Sequence, residues 1–407
     1  MTLILTLDNC TAIPTKCIAG IMTGGKLPKG GGVWRIENEL KPANLYCYLQ
    51  ARFGDPNGLQ NIFRNDDSDN LIHWEWALAH KNGLILIMGL NMRSEVHLLG
   101  DWDFKNLSRD QFIEYIKGDF GNYGKQMSKF RQERLEHWDI FVNPYHDIHS
   151  AIKQMISDID ALNIDPSKDE LPNPTVVSEY ARFGENWSAL MEKYNRAIGL
   201  AMGIRSLTPV LAESFINLLA YLLCREDIKS NKRLYDNFVR QNIDVKVQSL
   251  HINCQGFKKP VDWSSQPCAD YNSIVNDRND LLHGNVVPSK QIFQDIHFRG
   301  KVPIFEEYKS IWQQSVGVSI TSSGLRVVRD CVNVIHKFED YVLSCLVDGL
   351  EAQVRHIMSK RDLGLNRSNG RIGVLLPDHL VDFGMSVIQK GGQQADVLEP
   401  LTRPGDP

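Results

Sequence analysis

The chain has 407 residues, room for two or three separately cored domains. Hydrophobic residues make up 43% and charged residues 23%, the balance of a globular protein rather than a disordered or fibrous one. A formal net charge of −4 argues against a surface that is basic all over, the usual footprint of a general nucleic-acid binder, and leaves room only for a local basic site. Met1–Leu7 is apolar but too short for a secretory signal, and no run of about 18 apolar residues reads as a membrane span, so no membrane partner is expected. The eight cysteines are scattered without a Cys-x-x-Cys pair, which points to a reducing cytoplasm and away from a zinc ribbon.

Residues 1–150 read as a mixed α/β domain with a small antiparallel sheet. Leu3–Leu7 is a candidate strand. Gly24–Gly32 is glycine- and lysine-rich, but Pro28 interrupts it and the Gly-x4-Gly-Lys-Ser/Thr spacing of a phosphate loop is absent. Leu40–Phe53 reads as a helix, Arg64–Asn70 as a polar loop. Ile72, Trp74, Trp76 and Leu78 alternate with polar or small residues, as in a half-buried strand. Asn82-Gly83 predicts a hairpin turn into a more buried strand at Leu84–Leu90, and Val96–Leu99 extends or follows it. Ser108-x-x-Gln111 opens a helix as a capping box. Gly118, Gly121 and Gly124 are expected to break it before a more polar helix from Lys125 to about Ile140. His73-x-Glu75 with Pro267-Cys268 lacks the second cysteine of a zinc deaminase. His146 and His149 stand one helical turn apart without an evident third ligand, the polar start of a helix rather than a metal site.

Residues 151–175 are expected to bridge and link: an apolar stripe over Ile148–Leu162, then Pro166–Pro174, with three prolines in nine residues. From Val176 the pattern is helical. One helix is expected to reach about Met202, and Thr208-Pro209 to cap the next, Pro209–Cys224. That second helix is apolar all round except for Glu213 and Asn217, four residues apart on one face. Lys229–Gln241 is amphipathic, Asn253–Gln266 a loop, and Gln291–Ile304 irregular. Phe305–Gln314 reads as a short helix, and Thr321–Leu346 as a long one that Glu351–Lys360 extends. Residues 362–407 read as a mostly flexible tail with at most one short helix near Leu380–Ile388.

Between these lies Tyr271–Val286, a short helix stopped by Gly284. Tyr271, Ile274, Val275, Leu281 and Leu282 fill one arc of the helical wheel with Arg278 near its centre. A guanidinium on an apolar face needs an acceptor, and Glu213 or Asn217 is the candidate. Asn279 and His283 share a neighbouring strip. Arg278-Asn279-x-x-x-His283 resembles the Arg-x(4–6)-His signature of the HEPN superfamily over about residues 176–361. The resemblance implies an all-α HEPN-like helical bundle and an overall α+β chain. It further implies a metal-independent endoribonuclease without cofactor, of the toxin–antitoxin and phage-defence kind, with Arg278, Asn279 and His283 catalytic. Active members set two motifs face to face across a homodimer.

The residue chemistry fits that implication. A histidine can take the 2′-hydroxyl proton or protonate the leaving 5′-oxygen, and an arginine can hold the charged phosphorane. Glu213, Asn217 and Asp280 are supporting candidates, and Arg299 and Lys301 are the cations placed to hold RNA. An antitoxin or trigger protein is a further expected partner. On an ideal helix Arg278 and His283 point about 140° apart, which is why a composite site across two copies is expected. The alternative is a non-catalytic HEPN-like module for dimerisation or binding in a defence or regulatory system.

Overall fold

In the computed structural model the described residues are 4–24, 28–60, 71–171, 175–287, 292–375 and 381–383. The expected loop at Arg64–Asn70 and the tail from residue 384 lie outside them. Helix at 55% and strand at 17% give the α+β class. The chain forms two compact units, one of Met1–Asp139 with Gly364–Asp382, the other built on Ile140–Leu363.

The first unit holds β1 (Thr11–Ala12), α1 (Thr15–Thr23), β2 (Gly31–Ile36), α2 (Pro42–Phe53), β3 (Ile72–His80), β4 (Gly83–Leu90), β5 (Ser94–Gly100) and α3 (Arg109–Arg134). The strands make an antiparallel sheet in the order β1-β3-β4-β5-β2. Register aligns Trp76, Ile87, Val96 and Trp34 in one cross-strand row. Directly opposed residues share a face, and this face packs with Leu45, Tyr48 and Leu49 of α2 and Phe112, Ile113 and Ile116 of α3 into one core. Leu5 and Leu7 enter that core from irregular backbone, not from the strand expected there.

Two local readings shift. His80 pairs with Gly83, so Lys81-Asn82 forms the hairpin turn and Gly83 opens β4. Glycine is required at that position because it has φ +145° and a Cβ there would strike the Leu99 carbonyl. In α3, Ser108 accepts from the Gln111 N–H as expected, but the helix runs straight through Gly118, Gly121 and Gly124. Phe120, Tyr123 and Met127 continue its apolar stripe onto the core, and that burial outweighs about 1 kcal/mol of lost helix propensity per glycine.

The helix expected to reach Ile140 ends at Arg134, and β6 (Trp138–Val142) carries the chain into the second unit. The domain boundary therefore falls at Asp139/Ile140, not within 151–175. The described part of the proline-rich segment, to Leu171, belongs to the second unit. Buried Asn143 ties the entry point down: it accepts from the Tyr145 N–H and donates to the Ile357, Met358 and Lys360 carbonyls.

α4 (Pro144–Ala161) packs along α5 (Tyr180–Leu223), a single 44-residue helix with Pro209 inside it. Thr208 and Pro209 do not cap a second helix. Thr208 turns its hydroxyl back onto the Ile204 carbonyl, and buried Ile204, Leu211 and Ala212 hold both sides of the proline in register. A window of α5 is long and apolar enough to cross a membrane, but most of it is buried inside the unit.

Next come α6 (Glu226–Lys229), α7 (Lys232–Val239), α8 (Ile243–Asn253) and α9 (Gln266–His283). The stretch expected to be irregular contains an antiparallel hairpin, β7 (Ile296–Arg299) and β8 (Val302–Phe305), so the second unit is mostly but not wholly helical. The short helix expected at Phe305–Gln314 does not form as such: Phe305 ends β8, residues 306–310 are irregular, and helix starts only at Ile311, passing into a π-helical turn over Gln313–Gly317. It leads into α10 (Val318–Ser323), which left-handed Gly324 separates from α11 (Val328–Ser344). Left-handed Gly349 likewise sets off α12 (Leu350–Met358).

The chain then re-enters the first unit through β9 (Asp362–Asn366), which pairs antiparallel with β10 (Ile372–Val374). Residues 362–374 are thus ordered structure rather than tail. Asn366 and Arg367 bond to Glu136, His137 and Asp139. A last strand, β11 (Val381–Phe383), falls within the stretch near Leu380–Ile388 expected to be helical, the rest of which lies outside the described residues.

Candidate functional site

The motif helix α9 forms as its sequence dictates. Pro267 sits in the first turn and Gly284 closes the last in the left-handed conformation (φ 62°, ψ 33°), its N–H on the Asp280 carbonyl. α9 packs against α5 and α11. Tyr271 is the anchor, fully buried, stacked on Phe338 at 4.6 Å between ring centroids and edge-on to Trp263. The rest of the apolar arc is less covered than expected. Ile274, Val275 and Leu281 are half-buried, and Leu282 is 56% exposed.

Arg278 lies on this arc with 21% of its side chain exposed, and its Nη2 donates to Glu213 Oε1 at 3.3 Å. Its Nε is buried without a hydrogen-bond partner. Of the two acceptors anticipated on α5, Glu213 meets the arginine and Asn217 does not. Asn217 Oδ1 instead accepts from Lys246 Nζ at 2.8 Å. Lys246 on α8 is buried, and that burial lowers its pKa against the raising influence of Glu213. The buried Tyr271 phenol completes the cluster. Its hydroxyl has no hydrogen-bond partner, and burial first, then Glu213, push its pKa well up while Arg278 pulls the other way. Glu213 thus bonds one cation, Arg278, and acts on a second, Lys246, through its charge alone. Glu213 and Asn217 also line a cavity of about 520 Å³ with Val210, Ser214, Leu218 and Tyr221.

The other candidates lie elsewhere. His283 is exposed in the last turn, and nothing among the described residues hydrogen-bonds its ring. Asn279 is half-buried. Asp280 caps the helix end, accepting from Asn285, and lines a second cavity of about 550 Å³ with Arg205, Asp277 and Thr321. Arg299 and Lys301 are exposed on the β7–β8 hairpin, joined to the motif by no hydrogen bond or ion pair among the described residues. Within one protomer Arg278 faces α5 and His283 faces solvent. Single-chain geometry therefore gathers Arg278, Glu213, Asn217 and Lys246, and leaves His283 outside that cluster.

Lys246 and Tyr271 are the functional-looking groups that local sequence reading did not select. A signal for Lys246 existed: it sits beside Val247 and one turn before Leu250, both buried, a lone cation on an apolar helical stripe. Protein-family models, characterised protein sequences and solved structures offer no match to this chain.

Proposed function

We propose that this chain is a metal-independent endoribonuclease of the toxin or phage-defence kind, working as a homodimer. One observation carries the reading. The Arg278…His283 helix ends with its imidazole open to solvent, and its arginine is held by one long hydrogen bond with Nε still unpaired. A phosphate can compete for such a guanidinium, because it offers the fork of donors a better-matched, doubly accepting anion. His283 then moves protons: it takes one from the ribose 2′-hydroxyl, or delivers one to the departing 5′-oxygen. The 2′-oxygen bonds to phosphorus as the 5′-oxygen leaves, giving a 2′,3′-cyclic phosphate and a free 5′-hydroxyl. Because Arg278 and His283 diverge on one helix, the acid, the base and the cation come from two copies facing each other. An antitoxin or trigger protein would govern the activity.

The experiment is cleavage of total RNA and tRNA in a chelator. Wild-type protein is expected to yield cyclic-phosphate ends. His283→Ala is expected to lose at least about a hundredfold in rate, the low end for general acid–base catalysis, and Arg278→Ala to lose a similar amount. Induced expression is expected to arrest growth, relieved by either substitution. Cleavage or toxicity that survives both changes overturns the proposal. The Glu213 contact favours one second reading, a non-catalytic dimerisation or binding module, since a carboxylate on Arg278 neutralises the charge catalysis needs. Absence of cleavage from a protein that still dimerises would select it.

A further inference from the structure

The two cysteines that end α5 and α8 face each other. α5 stops at Leu223 and α8 at Asn253. The next residue of each, Cys224 and Cys254, leaves the helical conformation and pairs antiparallel with the other. The Arg225 N–H donates to the Asn253 carbonyl at 2.9 Å, and the Gln255 N–H to the Leu223 carbonyl at 2.8 Å. These two bonds bracket the cysteines and make them a non-hydrogen-bonded pair. Such pairs hold their Cα atoms about 4.5 Å apart, with the side chains close together on one side. A disulfide needs a Cα separation of about 4.4–6.8 Å, so this spacing already falls within reach. No other two cysteines among the described residues oppose each other across a strand pair or bridge.

Both thiols are free, and the two residues are only 3% and 4% exposed. Cys224 Sγ now rests 3.7 Å from the Arg225 carbonyl oxygen, so closing a bond to Cys254 takes a side-chain rotation. Burial pushes both thiols up in pKa, and Cys224 adds to the rise at Cys254. Unreactive thiols are therefore the resting state. Exposed Arg225, Glu226 and Asp227 follow the first cysteine, and exposed His251 and Ile252 precede the second. Fraying of these two helix ends is the opening that admits an oxidant. The Cα spacing lies at the short end of the disulfide range, and a strained bond is the kind that reduces easily.

We propose that Cys224 and Cys254 are a reversible redox pair that closes into a disulfide stapling α5 to α8. The oxidant is a small disulfide of the oxidised-glutathione kind. One cysteine thiolate attacks it, forming a mixed disulfide and releasing one glutathione thiolate. The second cysteine thiolate attacks the protein sulfur of that mixed disulfide, forms the Cys224–Cys254 bond and releases the other glutathione. The two protein thiols give up two electrons and two protons, and the oxidant takes up both. Asn217 stands two turns before Cys224, and Lys246 two turns before Cys254. The staple thus fixes the two helices that the Lys246–Asn217 hydrogen bond joins. None of this depends on whether the motif cuts RNA.

A non-reducing peptide map of the full chain tests it. Reduced protein, kept folded as circular dichroism shows, is incubated with excess oxidised glutathione and then alkylated in denaturant. Exposed Cys17 reports that the reagent is active by taking up glutathione. Most of the Cys224 peptide is expected to be joined to the Cys254 peptide, with no glutathione retained on either. Excess reduced glutathione added afterwards is expected to lower the joined fraction at least about tenfold, as for a labile disulfide. Separate Cys224 and Cys254 peptides in a sample whose Cys17 has reacted overturn the proposal. So does a link that forms only in urea, or one that survives excess reduced glutathione.

Discussion

At α4 and α11 two imidazoles meet and titrate in opposite senses. His336 donates through Nδ1 to buried Glu339 at 3.1 Å, and that hydrogen bond holds its pKa above the usual value against the opposing effect of burial. His149, edge-on to His336 at 5.8 Å, is pushed below its usual value by burial and then by its neighbour's charge. For His336 the folded chain binds the proton more tightly, so its stabilisation is complete below about pH 6.5 and is lost as pH rises through the raised pKa. For His149 the sign reverses, and its contribution is lost as pH falls. His336→Gln should therefore flatten the decline in stability from pH 6.5 to 8, by under about 1 kcal/mol because the ring is partly exposed and screened. Urea melts across that range read it; an unchanged slope would mean that the Glu339 contact does not hold the proton. At this scale the sequence was partly legible. An arginine amid apolar neighbours announces a buried acceptor, and Glu213 was one of two polar interruptions on an apolar helix. Which of them it meets was not legible, because Lys246 competes for the same face from a helix that no motif marks.

Elements were legible where periodicity and punctuation agreed, and misread where punctuation was taken alone. The β3–β4 hairpin, α2 and the motif helix with its Gly284 stop all follow local rules. α3 and α5 do not break at their glycines or proline, because a continuous apolar stripe on each is worth more than the local penalty. The hairpin β7–β8 escaped notice because its strands are only four residues each and β8, Val-Pro-Ile-Phe, is apolar throughout with a proline inside it. The α3 glycines carry a prediction of their own. A Cβ at Gly118, Gly121 or Gly124 would meet nothing within 4 Å, and none of the three has positive φ. Replacing each with alanine should stabilise the first unit by about 0.5–1 kcal/mol through a less flexible unfolded chain. A triple variant that melts no higher than wild type would show that these glycines meet a requirement α3 itself does not impose.

For the whole molecule, the consequential feature is a chain that leaves its first unit and comes back. Local patterns favour contiguous domains, which is why residues 362–407 read as tail. The returning strands nonetheless supply buried Asn366, Ile372 and Val374, the Arg367–Asp139 ion pair and a backbone bond from Arg367 to His137. Burying two aliphatic side chains is worth about 3–6 kcal/mol, against a total of about 5–15 kcal/mol for a domain. A chain ended after Lys360 should therefore keep its helical unit but lose about 3–6 kcal/mol of the stability of residues 1–139. It should show a separate, lower-melting transition and early proteolysis confined to that segment. A chain ended after Phe383 retains β9 and β10 and should melt as the full chain does. If both truncations melt alike, the returning strands are dispensable and the first unit is closed by its N-terminal residues alone. If only the shorter one fails, the fold of the first unit depends on residues more than 220 positions downstream of Asp139, and sequence windows of local length could not have found them.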